Sequence, residues 1–126
     1  AWRDIAAMLE GSASLVAGGS RGAAPVIVAV VHGELLALAA FARSNCVVGR
    51  AAARLTLVSS GLDPKGLIVP EVAHLRREGQ YRTAAADFAS GDALAVGRWI
   101  VHCCTALAAG SREAVSIAES VTASSG

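Results

Sequence analysis

Aromatic residues are scarce in this 126-residue chain, where tryptophan, tyrosine and phenylalanine together make up 4%. Lysine is almost absent, because Lys65 is the only one and every other basic residue is an arginine. The formal net charge is only +1, so the composition gives no indication of nucleic acid or an anionic membrane surface as a partner. A chain of this length has room for one domain.

A paired-cysteine framework is also missing. The three cysteines cannot all pair with one another and none lies in a CxxC motif, which excludes a disulfide scaffold. Unpaired cysteines favour a reducing compartment, and the start of the chain has no apolar signal segment, so we expect a cytoplasmic protein. The absence of an initiating Met suggests a piece of something longer.

The histidines and cysteines show no spacing typical of a metal site. His102, Cys103 and Cys104 are adjacent on a predicted helix, where neighbouring side chains point roughly 100° apart and cannot converge on one ion. His32 and His74 have no partner four residues away. We therefore expect the cysteines to be small core residues and predict no metal site.

What the chain does contain is helix-forming, apolar sequence. Apolar residues make up 54% and alanine alone roughly a fifth, which excludes intrinsic disorder. No alternating strand pattern of useful length occurs, so we predict an all-α fold. The predicted helices are 2–9, 25–40, 46–60, 70–78, 80–89, 93–109 and 111–121, with a Gly/Ser-rich linker at 11–22 and an extended stretch at 65–69. Asp92 is a candidate N-cap, and Gly61 and Gly110 are candidate helix ends.

Residues 23–42 are long enough to span a membrane. His32 and Glu34 lie near the midpoint, however, and an acidic residue there costs about 2.5–3.5 kcal/mol on insertion scales. We interpret the segment as the central, buried helix of a bundle and predict no membrane partner. In the next helix, the apolar positions at helical spacing are Val47, Ala51, Leu55 and Val58, with Arg50 and Arg54 on another face. The first turn of that helix offers free backbone N–H groups to an anion, with Arg50 close by.

The segment 32–64 reads HGELLALAAFARSNCVVGRAAARLTLVSSGLDP and resembles the Fic (filamentation induced by cAMP) family, whose motif is HPFx(D/E)GNGRxxR. His32 stands nine residues before Phe41, as a histidine does in that family, and Phe41, Asn45 and Arg50 match motif positions. The likeness covers residues 24–109. It implies a Fic-like helical bundle with a central buried helix, a loop and a motif helix. It also implies nucleotide or anion binding at Ser44, Asn45 and Arg50, with Phe41 and His32 as structural residues.

The departures from the motif argue against catalysis. The family's histidine acts as general base when AMP is transferred from ATP to a protein hydroxyl, and Ala39 stands in its place. Arg43 replaces the acidic residue that holds Mg²⁺, and Val47 replaces the first arginine. Ser44 and Cys46 replace glycines that let the backbone approach phosphate. Loss of a general base alone reduces the rate about a hundredfold to ten-thousandfold.

We therefore predict a non-catalytic Fic-like module that binds a protein or a nucleotide, without a catalytic residue or a cofactor. ATP and Mg²⁺ enter only if activity is retained. The family has further helices and a β-hairpin before the motif helix, so the resemblance implies a missing N-terminal half or another chain that completes the core. A small-residue helical surface is also compatible with a homodimer.

Four alternatives remain open. Asn45 can be a simple N-cap and Arg50 a structural arginine, without any ligand. The chain can be an active adenylyltransferase in which Arg43 supplies the charge of the metal. It can be an unrelated all-α domain. Finally, the glycine-rich turn at residues 18–22 is reminiscent of the phosphate turn of an NAD(P)-dependent oxidoreductase, although no acidic residue follows at the distance that ribose recognition needs.

Overall fold

The computed structural model describes residues 24–38 and 45–126, together with Arg3, Ala7 and Glu10, which are helical. Across these ranges the chain forms α-helices and no β-strand, which confirms the prediction of an all-α fold. The helices are α1 (Ala24–Leu38), α2 (Asn45–Ser59), α3 (Pro70–Arg76), α4 (Glu78–Ala89) and α5 (Ala93–Ser124). The predicted linker at 11–22, including the glycine-rich turn, lies outside the described residues.

Helix α1 is the centre of the fold, as its apolar sequence predicts. Val26, Glu34 and Leu38 leave one side of the helix exposed. The buried residues occupy the broad opposite face and are Ala24, Val28, Ala29, Val31, His32, Gly33 and Leu35. Ala29 packs with α4 and α5, Val28 packs with α2 and α5, and Leu35 packs toward α2. α2 therefore packs mainly against α1, and α4 packs against both α1 and α5, whereas α3 packs mainly against α5.

A close approach in the core joins α1 to α5. Trp99 is fully buried, and its indole Nε1–H donates a 2.7 Å hydrogen bond to the carbonyl oxygen of Ala29. A Cβ atom built on Gly33 would lie 2.7 Å from both Phe88 and Trp99. Glycine is therefore required at position 33 because the two aromatic rings occupy the space that any side chain would fill.

The face of α2 that packs on α1 differs from the predicted one. Val47 and Leu55 are 59% and 68% exposed, whereas Ala53 and Leu57 are buried against Val28 and other core residues. Both stripes of α2 are apolar, so helical spacing alone does not distinguish them. The buried stripe includes the smaller residues of α2, which allow the closer approach of the two helices.

Gly110 was predicted to end a helix, and this is wrong: α5 continues through it to Ser124. Packing explains why position 110 is a glycine, since a Cβ there would lie 2.6 Å from the backbone carbonyl carbon of Val69. The prediction for Gly61 is confirmed, because this residue follows α2 with a positive φ of 77°. The Asp92 N-cap is confirmed as well, since its carboxylate accepts a 3.0 Å hydrogen bond from the backbone N–H of Ala95.

The loop between α2 and α3 is organised by a buried carboxylate. Asp63 accepts hydrogen bonds from the backbone N–H groups of Leu67 and Ile68, both at 2.9 Å. Arg54 of α2 then reaches across to Glu71 of α3, with an N–O distance of 2.8 Å. These contacts hold the start of α3 beside α2. The helical conformation is interrupted between α3 and α4 at Arg77, whose φ and ψ of −124° and 42° are not helical.

One helix within the described part of the chain, α5, is long and apolar enough by length and composition to cross a membrane. A third of its most apolar stretch (33%) is buried inside the fold, where Trp99, Cys103 and Leu107 belong to the core. The core helix of a folded domain meets the same criterion, so this finding is weak evidence for a membrane span.

Replacement of Gly33 by alanine tests the close approach of α1 to the aromatic rings. We expect G33A to lower the free energy of unfolding, because overpacking costs about 1–3 kcal/mol and outweighs the roughly 1 kcal/mol that alanine gains in helix propensity. G97A in α5 is the matched control, since a Cβ there meets nothing within 4 Å, and it should stabilise the protein slightly. Urea unfolding followed by circular dichroism measures both. A G33A protein as stable as G97A would contradict the prediction.

Candidate functional site

The three histidines of the chain converge in the structure. His32 of α1 and His74 of α3 have ring centroids 5.5 Å apart, and the rings of His74 and His102 of α5 are 5.4 Å apart. Tyr81 of α4 and Trp99 of α5 complete the group, with centroids 4.7 Å from His74 and 5.3 Å from His32 respectively. We call these five residues the histidine–aromatic cluster. α1, α3 and α4 each supply one of its members, and α5 supplies two.

Two side-chain hydrogen bonds order the cluster. His32 Nε2 and the Tyr81 hydroxyl are 3.0 Å apart, and His74 Nδ1 lies 3.3 Å from His102 Nε2. In the second pair, one neutral imidazole donates and the other accepts. No buried side-chain nitrogen or oxygen in the described residues lacks a partner. The cluster is therefore a satisfied polar network within an apolar core.

Burial keeps the cluster neutral. It lowers the pKa of His32 to about 3, with smaller contributions from His74 and Arg50. Burial and the nearby His102 lower the pKa of His74 to about 4. The pKa of Tyr81 rises to about 12, again mainly through burial. Near pH 7 the cluster carries no charge of its own, since desolvation disfavours the charged form of each group.

A cavity of about 320 Å³ opens on one side of the cluster, between α2, α3 and α4. We call it the Arg50 cavity, and its lining residues are Cys46, Arg50, Glu71, His74, Leu75, Glu78, Tyr81 and Arg82. His74 and Tyr81 form part of its wall, and the exposed Cys46 lies at the first turn of α2. Its volume falls at the lower end of the range for small-molecule sites.

The acidic groups that line this cavity are paired with arginines. Glu71 binds Arg54 through three side-chain hydrogen bonds of 2.8–3.1 Å, and Glu78 binds Arg82 at 2.6 Å. Arg50 forms no salt bridge with any residue that the structure describes. Within the described part of the chain, the half-buried guanidinium of Arg50 is therefore a charge of the cavity without an acidic partner, which favours an anionic ligand.

The structure describes some of the predicted site residues and not others. Arg50 lines the cavity, and His32 is buried with its ring against those of Tyr81 and His74. Of Asn45 only the backbone is described, and it begins α2. Phe41 and Ser44 lie outside the described residues, as do the substituted motif positions 39 and 43.

The sequence gives no indication that His74 and His102 meet. The hydrogen-bonded pairs of the cluster are 28 and 49 residues apart in sequence, so no local spacing could indicate them. Among residues 24–38 and 45–126, no three His, Cys, Asp or Glu side chains are placed to hold a metal ion.

No protein-family model matches the sequence, and no curated protein or solved structure matches it either.

The lowered pKa values of His32 and His74 predict a dependence of stability on pH. In an unfolded chain both residues gain a proton as the pH falls through about 6.5. In the folded protein they stay neutral down to about pH 4. The contribution of these neutral histidines to the free energy of unfolding is therefore fully present above pH 6.5 and is lost as the pH falls toward 4. Each histidine contributes up to about 1.4 kcal/mol per pH unit in this window.

Urea unfolding between pH 7.5 and pH 5 measures this slope while the carboxyl groups of the unfolded chain stay largely ionised. H74Q removes one of the three histidines whose pKa values are lowered and should reduce the slope by roughly a third to a half. A free energy of unfolding that stays constant between pH 7 and pH 5 would show that the histidines are not held neutral.

Proposed function

We propose that this chain is a non-catalytic, Fic-like module that binds a nucleotide-class anion in the Arg50 cavity. The observation that carries the proposal is the guanidinium of Arg50, which has no acidic partner among the residues that the structure describes, in a cavity walled by the rings of His74 and Tyr81. Arginine forms two parallel hydrogen bonds to phosphate oxygens, and neutral aromatic rings offer flat faces to a base. Both parts of a nucleotide thus have a partner in one cavity.

The arrangement of α1 and α2 supports the resemblance on which the family assignment depends. α1 carries His32, α2 begins at Asn45 as the motif requires, and the two helices pack directly against each other. Arg50, which matches the last arginine of the motif, lies one turn further along and reaches the cavity. A phosphate beside this turn also benefits from the positive end of the helix dipole.

The size of the cavity favours a mononucleotide. A volume of about 320 Å³ is small for a dinucleotide, so it argues against the NAD(P) alternative. The residues that line the cavity also argue against catalysis. Glu71 and Glu78 are held by arginines, and His74, with a pKa of about 4, is a poor proton acceptor near pH 7.

Calorimetric titration with AMP, ADP and ATP tests the proposal. We expect saturable binding that R50A weakens at least tenfold, because a hydrogen bond to a charged group contributes about 1.5–3 kcal/mol. K65A is the control, since it removes one positive charge from an exposed position outside the cavity and should leave the affinity unchanged. Absence of binding, or equal losses in R50A and K65A, would contradict a nucleotide site at Arg50.

The unmodified chain, R50A and K65A also distinguish a binding module from the alternative of an active adenylyltransferase. Incubation with Mg²⁺ and ATP labelled in the α-phosphate should transfer no AMP to the chain or to added proteins. Labelling that disappears in R50A but persists in K65A would establish transfer and refute the non-catalytic assignment. A thermal stabilisation by NADPH without one by ATP would instead support the oxidoreductase alternative.

A further inference from the structure

A second cavity lies on the other side of the His74–His102 pair. It has a volume of about 240 Å³ and opens between the end of α3 and the middle of α5. Its lining residues are Ala73, Arg76, Arg77, His102, Thr105, Ala106, Ala109 and Arg112. We call it the three-arginine cavity. It shares no lining residue with the Arg50 cavity.

Positive charge dominates the three-arginine cavity. Arg76 at the end of α3, Arg77 just after it and Arg112 of α5 line the same space. The single salt bridge that the described residues make to them joins Arg76 to Glu113 at 3.6 Å, with both side chains partly exposed. Two arginines are therefore left without an acidic partner, and exposed pairs of this length contribute little.

The floor of this cavity is built from small side chains. Ala106 and Ala109 of α5, with Ala73 of α3, leave open space between the arginines. His102 stands at the wall, where its Nε2 is engaged with His74, and burial together with the charge of Arg77 lowers its pKa. The cavity thus presents guanidinium groups around a space that no protein carboxylate of the described chain fills.

We propose that the three-arginine cavity is a second anion site, which binds a single phosphate group independently of the Arg50 cavity. Two uncompensated arginines match the charge of a phosphate dianion, and their planar forks match its oxygen geometry. The volume lies below the usual range for small-molecule sites, which favours one oxyanion with its water over a whole nucleotide. This assignment goes beyond the nucleotide site, because it involves none of the same residues.

Inorganic phosphate is the probe for this site. In a series of ¹H–¹⁵N NMR spectra at low ionic strength, phosphate should shift the backbone amides of residues 76–77 and 105–112 in a saturable manner. Sodium chloride at the same ionic strength should not reproduce the shifts, since it lacks an oxyanion for the guanidinium forks. Shifts that never saturate, or that chloride reproduces, would overturn the proposal.

Matched variants separate this site from general electrostatic attraction. R77Q/R112Q neutralises two exposed arginines of the cavity and should weaken phosphate binding at least tenfold, with far-UV circular dichroism showing that the helices persist. K65Q/R98Q removes the same charge from exposed positions outside both cavities and should bind as the unmodified chain does. Equal affinity in R77Q/R112Q and K65Q/R98Q would overturn the assignment.

These experiments distinguish a failure of the proposed nucleotide site from a failure of the proposed phosphate site. R50A should lose nucleotide binding and keep the phosphate shifts at residues 105–112. If R50A abolishes those shifts as well, phosphate is bound in the Arg50 cavity and the second site does not exist. If the unmodified chain binds phosphate at residues 76–77 but no nucleotide anywhere, the second site stands and the proposed function fails.

Discussion

The hydrogen bond from Trp99 to the carbonyl oxygen of Ala29 fixes the geometry on which both cavities depend. It joins the middle of α1 to α5 at 2.7 Å, in a region where Trp99 is completely buried. His32 follows Ala29 by three residues and His102 follows Trp99 by three, so each histidine lies on the same helix face as its anchor. Once the indole is bound to α1, the two histidines face the same volume, and the shorter α3 and α4 fill it with His74 and Tyr81.

The histidine–aromatic cluster divides the molecule into two chemically different regions. On one side, paired acids and Arg50 surround a cavity with aromatic walls, and on the other side three arginines surround a smaller one. His74 and His102 form the partition, and each contributes to one cavity only. Because these histidines are neutral, no buried positive charge lies between the arginines of the two cavities. The protein loses stability in acid as a result, because the unfolded chain can bind protons that the buried histidines cannot.

The sequence predicted those parts of the fold that depend on local patterns. The all-α class, the buried α1, the Asp92 N-cap and the turn at Gly61 follow from apolar spacing and capping chemistry. The packed face of α2 and the role of Gly110 do not, because both depend on which backbone lies opposite. Gly110 is adjacent to Val69 only after the chain has folded back on itself.

The candidate site, like the fold, could be predicted from the sequence only where it depends on local patterns. Arg50 could be predicted from its place after a helix start, but its lack of an acidic partner depends on Arg54 and Arg82 engaging the nearby glutamates. The meeting of three histidines could not be predicted, since it requires α3 and α5 to bring His74 and His102 beside His32 of α1. Long-range pairing of this kind leaves no periodic signal in a single sequence.

The length of α5 has a consequence for local stability. Its last buried residue is Gly110, and residues 111–124 continue the helix with no residue fully buried against the core. Helical segments of this length are marginal in water without tertiary packing. Amide hydrogens in this half should therefore exchange with solvent through local fraying. The amides around Trp99 and Cys103, by contrast, should exchange only when the whole domain opens.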